Sequence, residues 1–359
     1  MRISLTNSTR TFSAAEEQPL LDAALQAGLR VPHRCKSGNC GSCRARLQQG
    51  RVRYPDGPPL GLSAAQVADG QILLCRARAQ TDLVLDPYEM HGAAEVTIKR
   101  LPCRVERAEP LAHDVLGIHL RLPAVERLVF AAGQYVDVLL SRGRRRSFSI
   151  ASPPQDARFL ELHVRRVTGG EFTETLFARD PIGMLLTIEG PLGSFTYRSA
   201  EIGMACREDP LPLPRPVLMV GGGTGLAPLK SMLSALDAAV AGARHITLYW
   251  GVRAERDLYA DAQLRELVVR MPGLRYTAVL SEPSRAWTGR RGWVHAAVVA
   301  DFATLAEHDI YAAGPPAMID AVRKEFVAHG ADPARLFYDS FDYAADSPAR
   351  QRSNAATRS

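Results

Sequence analysis

Three cysteines, Cys35, Cys40 and Cys43, stand at intervals of four and two residues in one short loop, and Cys75 follows alone. Thiolates are soft ligands, so four of them can hold iron–sulfur or zinc, or can pair as disulfides. The interval pattern C-x4-C-x2-C…C is one that serves [2Fe–2S] ligation. Gly38 and Gly41 let the backbone curl round an anionic cluster and aim N–H groups at its sulfurs. Structural zinc sites usually pair their cysteines as two short knuckles, and Cys75 has no such neighbour. Disulfides suit secreted chains, and nothing else in the sequence points to secretion. The four are read as metal ligands of an iron–sulfur centre, with zinc and spare thiols as the alternatives.

The elements that must position these ligands fill the first 95 or so residues as a small α/β module. Arg2 to Leu5 and Thr9 to Phe12 read as a hairpin, and Leu20, Leu21, Ala24 and Leu25 recur at helical spacing up to Gly28. Ala45 to Leu47, Gln71 to Leu74 and Leu83 to Leu85 read as strands around a polar turn at Asp56 to Pro59. Arg34, Lys36, Arg44, Arg46, Arg76 and Arg78 flank the ligands, as a solvated face or as a rim that steers an acidic partner.

The whole chain has 359 residues, 46% of them hydrophobic, enough for two or three domains with their own cores. Its start, MRISLTNSTR, lacks a signal-peptide run, and no stretch has the length of a membrane span, so the expected location is cytoplasmic. Cys103 and Cys206 are read as ordinary thiols. The net charge of +6 is spread out, without the basic, aromatic-interleaved stripe of a nucleic-acid binder.

After a linker at His91 to Ala94, alternating runs at Val96 to Val105, Val115 to Leu122 and Tyr135 to Leu140 predict a small antiparallel barrel. Within it come Arg144-Arg145-Arg146-Ser147-Phe148-Ser149, and then Leu162-His163-Val164 running to a Gly169-Gly170 turn with Thr173 placed to cap a helix from Glu174. Gly190-Pro191-Leu192-Gly193 closes the barrel, and a proline-punctuated linker covers 198 to 215. Val217 to Val220 then reads as a buried strand running into Gly221-Gly222-Gly223-Thr224-Gly225 and a helix from Leu229 to Ala241. Strands at Ile246 to Trp250, Leu274 to Leu280 and Asp309 to Ala313 continue a doubly wound pattern, the last meeting Gly314-Pro315 and a helix from Ala317 to His329. The polar tail from 344 is read as disordered.

These motifs, in this order, resemble the ferredoxin-fused FAD/NAD(P)H reductases of the ferredoxin–NADP⁺ reductase superfamily. The resemblance covers about residues 1 to 343 and is near both to reductase components of aromatic-ring oxygenases and to CDP-6-deoxy-hexulose (glucoseen) reductases. It implies a multidomain α+β and α/β chain. A β-grasp ferredoxin domain (1–95) would precede an antiparallel FAD barrel (96–205), a parallel-sheet NAD domain (212–343) and the tail (344–359).

The same resemblance assigns roles. R-x-F-S puts Arg146 on the FAD pyrophosphate, Phe148 on the isoalloxazine and Ser149 near flavin N5, with Ser147, His163 and Val164 lining the cofactor. His163 is read as cofactor-adjacent and not as a catalytic base. Gly169, Gly170 and Thr173 hold the other side of the pyrophosphate. Gly221, Gly223, Thr224 and Gly225 form the pyridine-nucleotide loop, with Thr224 near the nicotinamide, and Ala313, Gly314 and Pro315 line it where relatives often carry a cysteine in place of Ala313. Phe341, at the end of Phe337 to Phe341, covers the flavin.

Arg253 and Asp257, in a G-x-R-x-x-x-D-L-Y run, are read as nucleotide-binding, and with Glu255 and Arg256 between them both signs of charge stand where the nucleotide is chosen. Asp257, opening a helix as a cap, favours NADH over NADPH. The implied activity moves electrons from NADH through FAD and [2Fe–2S] to a partner oxygenase or sugar dehydratase, one electron at a time, from a monomer. Readings of other classes are a non-enzymatic redox carrier or sensor and an enzyme reducing its own organic substrate.

Overall fold

The computed structural model describes residues 1–6, 10–29, 31, 33, 38, 43–55, 57–59, 62, 64–87, 98–155, 159–193, 195–197, 215–236 and 245–341. Cys35, Cys40, Cys206, Arg34, Lys36, the linker at 91–94, residues 198–214 of the second linker and the tail from 344 lie outside the described residues. The chain divides into two compact units, Met1–Val96 and Thr97–Ser359.

In the first unit the strands are β1 (Arg2–Leu5), β2 (Thr11–Ser13), β3 (Arg44–Gln49), β4 (Val52–Arg53), β5 (Gln71–Leu73), β6 (Arg78–Ala79) and β7 (Leu83–Pro87). The main sheet runs β2-β1-β7-β3-β5, with β1 and β7 parallel and the other pairs antiparallel. The helix Leu20–Gln26 packs on it through Leu20, Leu21, Ala23 and Ala24, all fully or nearly fully buried. Gly28, at φ 72°, ends the helix in the left-handed conformation that glycine adopts without strain. A short helix, Ala64–Ala68, and the two-residue ribbon β4–β6 are additions to the expected plan.

The second unit opens with β8 (Lys99–Ala112), β9 (Val115–Arg121), β10 (Tyr135–Leu139), β11 (Arg145–Ser149), β12 (Phe159–Arg165) and β13 (Leu185–Leu192). They pair antiparallel in the order β11-β10-β13-β8-β9-β12. A bridge between Ile150 and Leu162, with Ala151 N–H donating to the Glu161 carbonyl at 2.7 Å, joins the two outer strands and closes the barrel. Val105, Ile118, Leu120, Val136, Val138, Leu160, Leu162 and Val164 fill it, every second residue facing in. The strand expected to stop at Val105 continues to Ala112, because charged residues take its outward positions and blur the alternation.

The rest of this unit is an all-parallel sheet of β14 (Val217–Gly222), β15 (Ile246–Val252), β16 (Leu274–Leu280), β17 (Arg290–Arg291), β18 (Asp309–Gly314) and β19 (Leu336–Ser340). Its order is β17-β16-β15-β14-β18-β19. Leu226–Ala235 and Asp261–Arg270 cover one face through Leu229, Met232 and Leu264. Val294–Asp301 and Pro316–Ala328 cover the other through Val298, Ile319 and Val322. β14 is therefore buried along its whole length, as its unbroken apolar run requires.

Two boundary expectations are corrected. The helix after the nucleotide loop starts at Leu226, not Leu229, since the loop tightens into a 3-10 turn that continues directly into it. Asp257 does not open a helix: it ends the 3-10 turn Glu255–Asp257, and the α-helix begins at Asp261.

Candidate cofactor-binding and electron-transfer site

In the first unit, the pairing of Arg44 with Leu73 brings Cys43, just before β3, and Cys75, just after β5, to one end of neighbouring strands. Both are buried, and Leu74 N–H donates to the Cys43 carbonyl at 3.0 Å. Gly38 stands at φ 86°, and a Cβ there would lie 2.6 Å from Arg76 Cγ, so the loop passes where no side chain fits. Tyr54 accepts a hydrogen bond from Leu73 N–H at 3.2 Å, and burial pushes its hydroxyl above the usual range. The expected basic rim is partly spent within the chain: Arg46 pairs with Asp69, and Arg78 donates to the Arg76 carbonyl at 3.2 Å.

In the barrel, β11 pairs with β10 so that Arg146 lies opposite Val138 and Phe148 opposite Val136. The period of two puts Arg146 and Phe148 on one face. Phe148 is half-buried with its ring centroid 5.7 Å from that of Phe172. On the other face Arg145 pairs with Glu189, and Ser147 Oγ donates to Asp137 at 2.6 Å, so the Ser147 side chain serves β10. Val164 sits in the barrel core, which leaves its main chain alone for any ligand.

The glycine turn beyond β12 differs from the expectation at one residue. The helix is Glu171–Ala178 with Gly170 as its N-cap, so Thr173 lies within the first turn and caps nothing. Its hydroxyl accepts from Val167 N–H at 3.1 Å and lies 3.1 Å from the Gly170 carbonyl, which braces the turn from inside. Gly169, at φ 76°, makes the reversal.

His163 is buried, and its ring is fully engaged away from the barrel interior. Nε2 lies 2.9 Å from Glu161 and Nδ1 lies 3.1 Å from the Tyr259 hydroxyl. Lys230 reaches the same Glu161 at 2.5 and 2.6 Å. Burial opposes ionising Glu161, but the His163 hydrogen bond and the Lys230 charge more than offset it and hold the carboxyl down at about 2.

The nucleotide-loop expectation lands on a tight strand-to-helix turn at the carboxyl end of β14. Gly225 passes so close to β18 that a Cβ would lie 2.0 Å from the Ala313 carbonyl oxygen. Gly223, at φ 55°, has Arg165 Nη1 3.0 Å from its Cβ position. Every residue from 221 to 229 is buried except the half-exposed Thr224. Ala313 is fully buried, and Phe341, held by its N–H to the Gly314 carbonyl at 2.9 Å, packs at the edge of the core. Such a bare-backbone concavity suits a dinucleotide pyrophosphate.

Sequence reasoning places Glu255 and Arg256 where the nucleotide is chosen but does not bring Glu282, Ser284 and Trp287 beside them, as the structure does. At the carboxyl ends of β15 and β16, a pocket of about 710 Å³ is lined by Glu255, Arg256, Glu282, Ser284 and Trp287 among others. Glu255 accepts from Ser284 Oγ at 2.5 Å and from Ser284 N–H at 3.0 Å, which keeps its carboxyl low. Arg253 and Asp257 turn away from it. Asp257 is buried and accepts from Ala254 N–H at 3.1 Å, and Arg253 lies 3.5 Å from Asp114 of the barrel. His113, Asp114 and Asp257 converge there, but Asp114 already pairs with Arg165 and Arg253, and Arg253 also lies 3.9 Å from Asp257. Cys103 is a barrel-core thiol, pushed up to about 12 by burial.

Three family descriptions match in order: 2Fe-2S iron-sulfur cluster binding domain over 3–80, oxidoreductase FAD-binding domain over 102–197 and oxidoreductase NAD-binding domain over 219–324. The CDP-6-deoxy-L-threo-D-glycero-4-hexulose-3-dehydrase reductase of Yersinia pestis is 36% identical, across 95% of this chain and 98% of its own. The terephthalate 1,2-dioxygenase reductase component 2 of Comamonas sp is 34% identical, across 90% and 91%. Among solved structures, the Amycolatopsis cytochrome P450 reductase GcoB is 33% identical with a TM-score of 0.76, covering 95% of this chain and 98% of that one. No helix among the described residues is long and apolar enough to cross a membrane. With the cysteine pair, the flavin-type barrel and the nucleotide turn in one chain, this is an oxidoreductase that belongs to the ferredoxin-fused FAD/NAD(P)H reductases of the ferredoxin–NADP⁺ reductase superfamily.

Proposed function

We propose that this chain is an NADH-dependent reductase supplying single electrons to a partner oxygenase that acts on aromatic or related substrates. The observation that carries the reading is the succession of a cysteine-bearing ferredoxin sheet, an Arg146–Phe148 barrel and a Gly221–Gly225 turn in one polypeptide. When bound, FAD would supply a two-electron acceptor and the [2Fe–2S] centre a one-electron carrier, so that the pair would match a two-electron donor to a one-electron acceptor.

The chain's own residues bind and orient. Cys35, Cys40, Cys43 and Cys75 hold the cluster. Arg146 forks onto the flavin pyrophosphate, Phe148 and Phe341 flank the ring, and Ser149 lies beside its reacting edge. Gly169, Gly170 and the braced Thr173 shape the opposite wall, with the main chain of His163 and Val164 between. Gly221 to Gly225 receive the nucleotide pyrophosphate, Thr224 faces the nicotinamide, and Ala313 to Pro315 back it. The domains are taken as 1–95, 96–205 and 212–343, followed by the tail 344–359, in a cytoplasmic monomer. The cations near the cluster ligands, Arg34, Lys36, Arg44, Arg46, Arg76 and Arg78, form the rim that steers an acidic partner face.

The preference for NADH rests on Glu255. Anchored by Ser284 and facing the cleft with Glu282, it suits ribose hydroxyls and repels a 2′-phosphate, leaving Arg256 outnumbered. A second reading, in which the electrons go to a sugar-nucleotide dehydratase, is favoured by the 36% identity to the Yersinia reductase.

The test is a fragment starting at residue 96. It should keep NADH-driven ferricyanide reduction and lose most cytochrome c reduction. Equal cytochrome c rates in fragment and intact chain would remove the cluster as the exit.

A further inference from the structure

A line of hydrogen bonds and one ring-edge contact crosses from the barrel into the nucleotide sheet and ends on the glycine turn. Glu161 and His163 project from β12, two residues apart and so on one face. A carboxylate only accepts, so His163 Nε2–H donates to Glu161, and Nδ1 is left as the acceptor for the Tyr259 O–H. Burial keeps His163 neutral and Tyr259 protonated, consistent with that direction. The Tyr259 ring then meets two others edge-on, His163 at 5.3 Å and Trp250 at 5.0 Å between centroids. Trp250 is fully buried, and its indole N–H donates to the Gly223 carbonyl at 2.9 Å.

From the far side of the same turn, the helix Leu226–Ala235 is tied to the barrel as well. Lys230 grips Glu161, and Ser231 Oγ donates to the Ser152 carbonyl at 2.7 Å. The turn is thus held between two attachments that share Glu161.

We propose that Tyr259 is a positioning residue, which through His163 and Trp250 fixes the Gly223 carbonyl and so sets the nicotinamide-facing turn against the flavin barrel. The assignment rests on the nucleotide reading of the Gly221–Gly225 turn given above. Hydride transfer depends steeply on approach distance, and a misplacement of 1 Å costs roughly 10²-fold. On the same reading the adenosine ribose meets Glu255 in the neighbouring cleft, whose lining does not include Tyr259, His163 or Trp250. Loss of the Tyr259 hydroxyl should therefore act on rate and not on affinity.

Tyr259→Phe keeps the ring and removes only the hydroxyl, so the fold is retained. In the full-length holoprotein, single-turnover flavin reduction at saturating NADH should slow about tenfold, while the dissociation constant for NAD⁺ stays within about twofold. Amide hydrogen exchange over 221–226 should speed up several-fold in the variant, a readout independent of turnover. His163→Gln should slow the reaction similarly, and the double variant should add little, since both cut one line. An unchanged reduction rate, unchanged exchange at the turn, a matching loss of NAD⁺ affinity, or additive losses in the double variant would each overturn the proposal. A wild-type chain that NADH does not reduce would sink the functional reading instead, and the exchange measurement would still decide whether Tyr259 holds the turn.

Discussion

The helix Glu171–Ala178, after the barrel's Gly169–Gly170 turn, begins with two carboxylates in its first turn, whereas the helix after Gly221–Gly225 begins Leu226-Ala227-Pro228 and has none. A helix N-terminus carries partial positive charge, and Glu171 and Glu174 already answer it in the barrel. Each in turn pairs with an arginine, Glu171 with Arg144 at 2.9 Å and Glu174 with Arg166 at 2.7 Å. The sheet turn has no carboxylate in its first helical turn, and at Gly225 a Cβ would run into the Ala313 backbone. On the proposed reading, the difference assigns an anion at the barrel chiefly to a side-chain cation, Arg146, and one at the sheet chiefly to main chain.

The largest expected effect is therefore Gly225→Ala. Its Cβ would meet the Ala313 carbonyl, backbone against backbone, and the turn must move. Flavin reduction by NADH should fall by roughly 10²-fold or more while FAD content stays unchanged. The matched change Gly170→Ala meets Thr173 Oγ1 and the Val167 carbonyl, both at 2.9 Å, and should cost FAD affinity less than tenfold. Equal effects at the two glycines would erase the contrast.

Next comes Arg146→Ala. Losing a charge-assisted fork costs about 1.5–3 kcal/mol, so FAD should bind roughly 10- to 100-fold more weakly in a fluorescence titration. Retention of FAD at wild-type affinity would mean that the barrel turn, carboxylates included, holds the pyrophosphate unaided.

Much of this was legible because the signals are local. The cysteine intervals, the Arg146-to-Ser149 strand and the glycine run each occupy a few consecutive residues whose chemistry is set by type and spacing. Thr173 was misplaced because Gly170 and Thr173 are both acceptable caps, and the choice depends on the Val167 contact. Asp257 reads as opening an α-helix, but the chain forms a 3-10 turn there, and the buried carboxylate caps that turn through Ala254 N–H. The Glu255–Trp287 cleft joins two strand ends that are remote in sequence, and no periodicity reports that meeting. His163 and Tyr259 are 96 residues apart, so their bond was invisible for the same reason.

A smaller effect is expected at the nucleotide's other end. Glu255→Gln keeps a hydrogen-bonding side chain for Ser284 but removes the charge. The preference for NADH over NADPH in kcat/KM, expected at about tenfold or about 1.4 kcal/mol in the wild type, should shrink to near parity. Steady-state ferricyanide reduction with both nucleotides measures it. An unaltered ratio would return the choice to Arg253 or Arg256.

The smallest effect tests the barrel turn alone, through the double change Glu171→Gln and Glu174→Gln. Two terms oppose each other. The carboxylates stabilise their helix through the dipole, and their arginine pairs at this exposed surface add little. Against that, they repel any phosphate that approaches the same N-terminus, and their removal releases Arg144 and Arg166 towards it. The first term acts on folding and is diluted by the packing of Phe172 and Leu176 in the barrel core. The second acts directly on binding, so the anion term should win in a binding measurement. FAD affinity should rise about two- to fourfold at low salt, and the gain should vanish as salt rises and the Debye length falls towards about 8 Å. Weaker binding at low salt would mean that Glu171 and Glu174 work by aiming their arginines at the pyrophosphate, and the two glycine turns would then differ in wiring and not in charge.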